Sequence, residues 1–159
     1  MTARSDGNGV QTQDLALAAV EEQFSTLFNR VRAAIRERAF EVHPELQPAG
    51  YKMLSALVRS GPARAGELAE LLATDKSVVS RQVRLLEQLG FVERQADPAD
   101  RRASYLVATE AAVARIGRVK AEDRATLYRG LGTWPIDDID RLAELLGRLN
   151  ESMTTPIQR

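Results

Sequence analysis

Basic and hydroxyl side chains repeat at helical spacing between residues 76 and 88. After Lys76, the stripe comprises Ser77, Ser80, Arg81, Arg84 and Gln88. Residues three and four positions apart share one face of a helix. Arginine can bind a guanine edge through two hydrogen bonds, whereas serine and lysine suit phosphates or single base-edge contacts. No acidic residue lies between Lys76 and Arg84, so this face predicts binding in a groove of double-stranded DNA.

The opposite face of the same helix is apolar. Val79, Val83 and Leu86 recur at four- and three-residue steps, which is typical of a helix docked on a core. Either Thr74 or Asp75 can cap the first turn through a side-chain oxygen. The free N–H groups at this end of the helix favour a phosphate, so we expect Lys76 and Ser77 to anchor the DNA backbone.

The segments on both sides of this helix complete a DNA-binding motif. Residues 65–73 (AGELAELLA) predict a short helix, and a brief link then gives a helix-turn-helix. Residues 91–95 and 104–107 are β-prone and flank the turn-forming segment 96–102. They predict a hairpin, or wing, beside the recognition helix.

Charged residues of the wing have two candidate roles. Arg94, Arg101 and Arg102 lie on or beside the wing, where they would grip the DNA backbone. Asp97 and Asp100 could brace Arg101 or Arg102 and fix the shape of the loop. Alternatively, these charges only keep the loop soluble.

The order and spacing of these motifs resemble the MarR family of bacterial transcription regulators. The matching segments, within residues 46–115, are GELAELL, DKSVVSRQVRLLEQLGFVER, DPADRRA and VATEAA. The resemblance implies a mainly α fold with a small β-hairpin wing, in which a winged helix-turn-helix core carries N- and C-terminal dimerisation helices. It places Ser77, Ser80, Arg81 and Arg84 on the recognition helix.

The resemblance also implies how such a protein works. A homodimer would read a pseudo-palindromic operator, with half-sites about 10 bp apart, and would act as a repressor. A small-molecule effector would bind where the dimerisation helices meet the winged lobe. Arg36, His43 and Tyr51 are weak candidates for that site, because core packing or surface exposure explains each of them equally well.

The remaining segments predict a polar tail followed by helices. Residues 1–13 are predicted to form a mobile tail, and residues 14–153 a single domain with its winged core at about 46–108. The predicted dimerisation helices cover about residues 14–42, 109–130 and 135–153. Both terminal helices carry long apolar stripes, which either pack together in one monomer or pair with a second copy.

Composition excludes several other classes of protein. Lysine plus arginine equals aspartate plus glutamate at 22 each, which favours a local basic patch over a bulk nucleic-acid coat. With no cysteine and a single histidine, His43, we expect no metal, no cofactor and no catalytic site. No apolar run or signal pattern points to a membrane, so we expect a cytoplasmic protein that joins the bacterial nucleoid when bound to DNA.

A different class of function remains open at this point. A winged helix can serve as a protein–protein interaction module, with the arginine stripe facing an acidic partner. Such a module would show no sequence preference on DNA.

Overall fold

The computed structural model describes residues 6–97 and 103–154. They form six helices and one antiparallel two-stranded hairpin, which confirms the predicted fold class. The elements in chain order are α1 (Asp6–Val42), α2 (Pro48–Ser60), α3 (Ala65–Leu71), α4 (Lys76–Gln88), β1 (Val92–Ala96), β2 (Ser104–Ala108), α5 (Glu110–Leu131) and α6 (Ile136–Thr154).

The start of the first helix differs from the sequence-based expectation. Helix α1 begins at Asp6 rather than at residue 14, so much of the segment predicted as a tail is helical. A helix nucleated by the apolar stripe downstream can extend through polar residues at little cost, because each added residue contributes one hydrogen bond. Residues 1–5 lie outside the described residues.

The chain divides into two compact units, the first ending at Val119 and the second beginning at Lys120. The first unit contains the hydrophobic core, to which α2, α3, α4, the hairpin and parts of α1 and α5 contribute. Its most completely buried large side chains include Met53, Leu54, Leu57, Leu68, Val79, Val83, Leu86, Leu106 and Ile116. These residues occupy the apolar faces expected for the helices, so burial of these stripes determines which side of each helix faces solvent.

Helix α1 is only partly covered. Near its end Ile35, Ala39 and Val42 join the core, with Ala39 and Val42 fully buried, whereas Phe40 is 64% exposed. Upstream, Leu17, Val20 and Leu27 remain at least half exposed. The described residues therefore leave the first two-thirds of this apolar stripe open.

The second unit comprises the end of α5 and all of α6. Within its described part, none of the side chains is buried. Leu127, Trp134, Ile136 and Leu146 are exposed, although α6 has a regular apolar stripe. This unit therefore also presents apolar surface to its surroundings.

Candidate nucleic-acid interface

Helix α4 presents the predicted polar stripe to solvent. Its apolar residues Val79, Val83 and Leu86 are buried, and this orientation exposes all the proposed DNA-contacting side chains of the helix. The exposed set is Lys76, Ser77, Ser80, Arg81, Arg84 and Gln88. None of these makes a side-chain hydrogen bond or ion pair with a described residue. The cationic groups are therefore available to a ligand.

The first turn of α4 is closed by hydrogen bonds to a backbone carbonyl and is not capped by a side chain. Asp75 occupies the N-cap position with an extended backbone, and its carbonyl accepts from Val78 N at 3.0 Å and Val79 N at 3.1 Å. Its carboxylate makes no capping hydrogen bond, and the Thr74 hydroxyl instead donates to Leu72 O at 3.0 Å. The predicted side-chain cap is therefore wrong, because the turn directs Thr74 back towards α3.

The turn between α3 and α4 fixes the recognition helix on its supporting helix. Thr74 N donates to Ala69 O at 2.9 Å, and Ala73 N donates to Glu70 O at 3.1 Å. Ala73 adopts a positive φ of 45°, a conformation usually filled by glycine. The chain reverses sharply here, which gives the predicted helix-turn-helix.

The end of α4 uses the same hydrogen-bond pattern. Phe91 N donates to Leu86 O at 2.9 Å, and Gly90 N donates to Glu87 O at 3.0 Å. Gly90 has φ 71°, a left-handed conformation that glycine adopts freely at the end of a helix. The chain then enters the wing directly.

The wing pairs β1 with β2 in an antiparallel register that runs from Val92 opposite Ala108 to Ala96 opposite Ser104. Arg94 lies on β1, where its Nε donates to Glu87 Oε1 at 2.6 Å. This surface ion pair connects the wing to the end of α4. Among the wing residues, Asp100, Arg101 and Arg102 lie outside the described residues.

Asp97 is anchored by a residue that the sequence did not single out. Its side chain is only 6% exposed and forms an ion pair with Arg64 Nη2. This hydrogen bond from Arg64 to the Asp97 carboxylate is the main reason that the pKa of Arg64 is raised above its ordinary value. The two residues are 33 positions apart, and no local spacing signals such a pairing.

The three weak effector-site candidates have different environments. Tyr51 belongs to the buried core, whereas Arg36 is exposed on α1. His43 follows α1, where its Nδ1 accepts from Glu45 N at 3.2 Å and its ring meets the Phe91 ring edge-on. These contacts of His43 are structural, and none of them joins the three residues into one site.

Other kinds of site find little support in the described ranges. The described side chains contain no group of three or more histidine, cysteine or acidic residues that could hold a metal ion. Between residues 6 and 154, outside the gap at 98–102, none of the helices is long and apolar enough to cross a membrane.

An exposed recognition helix, a preceding helix joined by a tight turn and a following hairpin define a winged helix-turn-helix DNA-binding protein. The sequence model of the MarR family matches residues 46–103. An uncharacterised HTH-type transcriptional regulator, YxaD of Bacillus subtilis, is 30% identical over 84% of this chain and 92% of its own length. The chain therefore belongs to the MarR family of DNA-binding transcription regulators, which are not enzymes.

Solved structures agree with this assignment at the level of the fold. A MarR-family regulator named SP03579 superposes with a TM-score of 0.77 at 18% identity, over 91% of this chain and 93% of its own. A MarR-like regulator from Thermotoga maritima is 28% identical, with a TM-score of 0.68 over 84% of this chain and 95% of its own. FabT of Streptococcus pneumoniae, solved in complex with DNA, superposes with a TM-score of 0.75 at 16% identity, over 86% of this chain and 96% of its own.

Proposed function

We propose that this protein is a ligand-responsive transcriptional repressor that binds an inverted repeat in double-stranded DNA as a homodimer. The observation that carries the proposal is the acid-free face of α4, whose cationic side chains are exposed and have no partner among the described residues. A solvated helix face usually carries intrahelical pairs between opposite charges. This face has none, and a DNA groove supplies the missing anionic partner.

The position of each side chain along α4 suggests its role. Arg81 and Arg84 lie one and two turns into the helix, where they can reach base edges in the major groove. Lys76 and Ser77 lie in the first turn, beside free backbone N–H groups, and suit phosphates. Ser80 lies between the two groups and suits a single base-edge or phosphate contact.

The wing supplies flanking contacts in this proposal. Arg101 and Arg102, at its tip, would contact the backbone beside the groove. Arg94 already forms an ion pair with Glu87, and this pair must open or be shared before Arg94 can bind a phosphate. We therefore expect Arg94 to contribute less to affinity than the tip arginines.

Dimerisation is proposed from the apolar surface on each unit. The α1 stripe from Leu17 to Val31 is exposed along most of its length, and apolar residues such as Trp134 and Leu146 are exposed in the second unit. Contiguous apolar surface on this scale marks an interaction site. A second copy of the chain can cover it with matching faces, as a two-fold interface requires. Such a dimer carries two recognition helices and reads two half-sites.

Effector control is proposed from contacts that connect α1 and α5 to the recognition helix. Arg115 Nη1 donates to Val42 O at 2.6 Å, which ties α5 to the end of α1. The Arg115 guanidinium also lies 5.4 Å from the centre of the Phe91 ring, directly after α4. A ligand that favours one arrangement of α1 and α5 would thereby shift α4 and change DNA affinity.

Selection from random DNA tests the function directly. Purified protein would be incubated with a pool of random duplexes at moderate salt, and the bound DNA sequenced. Enrichment of an inverted repeat with half-sites about 10 bp apart is the expected result. A pool that stays random, together with tight binding to an acidic protein, would instead support a protein–protein interaction module.

A reporter assay then distinguishes repression from activation. The selected operator would be placed between a promoter and a reporter gene, and expression compared with and without the regulator. Repression predicts lower expression when the protein is present. Compounds that restore expression and release purified protein from the operator would identify the effector class.

A further inference from the structure

Strand β2 of the wing is hydrogen-bonded to a residue outside the hairpin. Ala63 and Leu106 exchange backbone hydrogen bonds, from Ala63 N to Leu106 O at 3.2 Å and from Leu106 N to Ala63 O at 2.9 Å. Leu106 is fully buried. The segment before α3 therefore pairs with β2 through a single antiparallel bridge, which positions Arg64 beside the wing.

Arg64 joins two structural elements through its backbone and its guanidinium. Its backbone N–H donates to Glu67 Oε2 at 2.7 Å, which closes the first turn of α3. Its guanidinium forms the ion pair with buried Asp97 and lies 5.4 Å from the centre of the Tyr105 ring on β2. Asp97 N in turn donates to Ala103 O at 3.1 Å, where the two strands approach the loop. One residue thus connects the start of the helix-turn-helix to both strands of the wing.

The chemistry of this contact makes it selective for arginine. A buried carboxylate is stable only when it is paired, since removing its partner leaves an uncompensated charge. Guanidinium can donate to a carboxylate and stack on an aromatic ring at the same time, whereas a lysine ammonium supplies the charge without the planar stacking surface. Arg64 and Asp97 together therefore restrict the angle between the wing and α3.

We propose that Arg64 is a positioning residue for DNA binding, which holds strands β1 and β2 of the wing at the angle that lets the wing lie beside the DNA backbone while α4 occupies the groove. This inference rests on the proposed function. Because α3 and α4 are joined by the tight turn at Ala73, an anchor at the start of α3 fixes the wing relative to the recognition helix. Loss of the anchor frees the wing and leaves the α4 face intact.

The test compares Arg64→Gln, Asp97→Asn and the double variant on the operator selected from the random pool. We expect each single variant to weaken binding about tenfold, a change of about 1.4 kcal/mol, with a shallower dependence on salt. The preferred sequence should not change. The double variant should lose less affinity than the sum of the two single losses, because both changes remove the Arg64–Asp97 contact.

Two further variants separate positioning of the wing from a general loss of positive charge. Arg64→Lys keeps the positive charge but loses the guanidinium that stacks on Tyr105, so it should recover only part of the lost affinity. Arg141→Gln removes the exposed pair between Arg141 and Glu144 on α6 and should leave DNA affinity unchanged. Thermal unfolding shows which variants are folded; should Arg64→Gln not fold, Arg64→Lys and Asp97→Asn still carry the comparison.

Hydrogen exchange gives a readout that does not depend on DNA. In Arg64→Gln, amides of β1 and β2 should exchange faster, while those of α4 keep their wild-type protection. Unchanged exchange in the wing would overturn the proposal, as would additive losses in the double variant, which would indicate direct contact between Arg64 and DNA. If wild-type protein selects no DNA but the wing still loosens, the anchor stands and the proposed function fails.

Discussion

Single residues on α4 combine charge, exposure and the absence of a partner among the described residues. Arg84 illustrates this, because it is exposed and no described carboxylate competes for its guanidinium. Arg94 differs, because Glu87 already accepts from its Nε. Both side chains carry the same charge, yet only Arg84 is ready to bind a base edge without losing an existing contact. The absence of a partner is therefore the reason that Arg84, rather than Arg94, is the proposed base-reading residue.

Replacement of Arg84 by alanine should relax sequence preference. If Arg84 binds a base edge, the variant loses about 1 to 3 kcal/mol of discrimination at one base pair of each half-site. Binding to operators with each substitution at that position measures the effect. The control is Arg148→Ala, which removes the same charge from an exposed position on α6. An equal loss of affinity on every sequence would show that Arg84 contacts phosphate instead.

A buried hydroxyl in α2 offers a test of stability rather than binding. Ser55 Oγ is buried and has no hydrogen-bond partner among the described residues, and an unpaired buried polar atom is unfavourable. Ser55→Ala should raise the free energy of unfolding by about 0.5 to 2 kcal/mol, through both this relief and better helix propensity. Denaturant unfolding measures the change.

The matched control for that variant is Ser25→Ala. Ser25 is exposed on α1, so this change can gain only helix propensity, about 0.5 kcal/mol. Equal gains at the two positions would mean that the Ser55 hydroxyl is hydrated and incurs no desolvation cost.

Among the elements, α3 and α4 end in the same way but with different residues. Each ends with paired backbone hydrogen bonds around a residue of positive φ, Ala73 after α3 and Gly90 after α4. Glycine adopts this conformation freely, whereas alanine is strained by its Cβ. The turn that sets the recognition helix is therefore less stable than a glycine at position 73 would make it.

Reciprocal substitutions at these two helix ends should have opposite effects. Ala73→Gly should stabilise the protein by about 1 kcal/mol, and Gly90→Ala should destabilise it by a similar amount. At this chain length, about 1 kcal/mol corresponds to about 2 to 4 °C in the unfolding midpoint. A Cβ at Gly90 would meet no atom within 4 Å, so only backbone strain is tested there. Destabilisation by Ala73→Gly would contradict the assigned conformation.

At the scale of the whole molecule, the division of apolar surface suggests separate tasks. The first unit buries its winged core almost completely, whereas α1 upstream of Ile35 and the second unit expose large apolar side chains. A core that is complete without these faces can support the DNA-binding surface by itself. In the proposed homodimer the exposed faces would form the interface, and the affinity for an inverted repeat would depend on that assembly.

A charge on the exposed stripe of α1 should dissociate the proposed dimer. Leu27 is 51% exposed, so Leu27→Glu leaves the fold of one chain intact but places a carboxylate in an apolar interface. Analytical ultracentrifugation should show a monomer. Binding to a full inverted repeat should fall to the level of a single half-site.

The control for this variant is Asn29→Glu. Asn29 is exposed on α1 and lies two residues from Leu27, on the other side of the helix, so the same charge is added away from the apolar stripe. This variant should remain dimeric and bind the operator normally. A monomeric wild-type protein, or a dimeric Leu27→Glu variant, would contradict the proposed interface.

Much of the fold and of the recognition face could be predicted, because the relevant signals are local. Val79, Val83 and Leu86 are close in sequence and define a buried side of α4, and once that side is buried the Ser/Arg stripe must face solvent. Gly90 likewise marks a helix end through its own backbone freedom. Periodicity and turn chemistry act over a few residues, so a single sequence records them.

Contacts between distant groups could not be predicted, because they depend on how the elements pack. Asp97 was expected to brace Arg101 or Arg102, which lie outside the described residues, whereas its ion pair with Arg64 on another element had no local signal. Either Thr74 or Asp75 was expected to cap α4, but Asp75 makes no capping hydrogen bond and the Thr74 hydroxyl donates to Leu72 O instead. A side chain bonds the group that packing brings within about 3 Å, whatever its distance along the chain. Local sequence therefore set the exposed Ser/Arg face of α4, and packing set the ion pair between Arg64 and Asp97 at the wing.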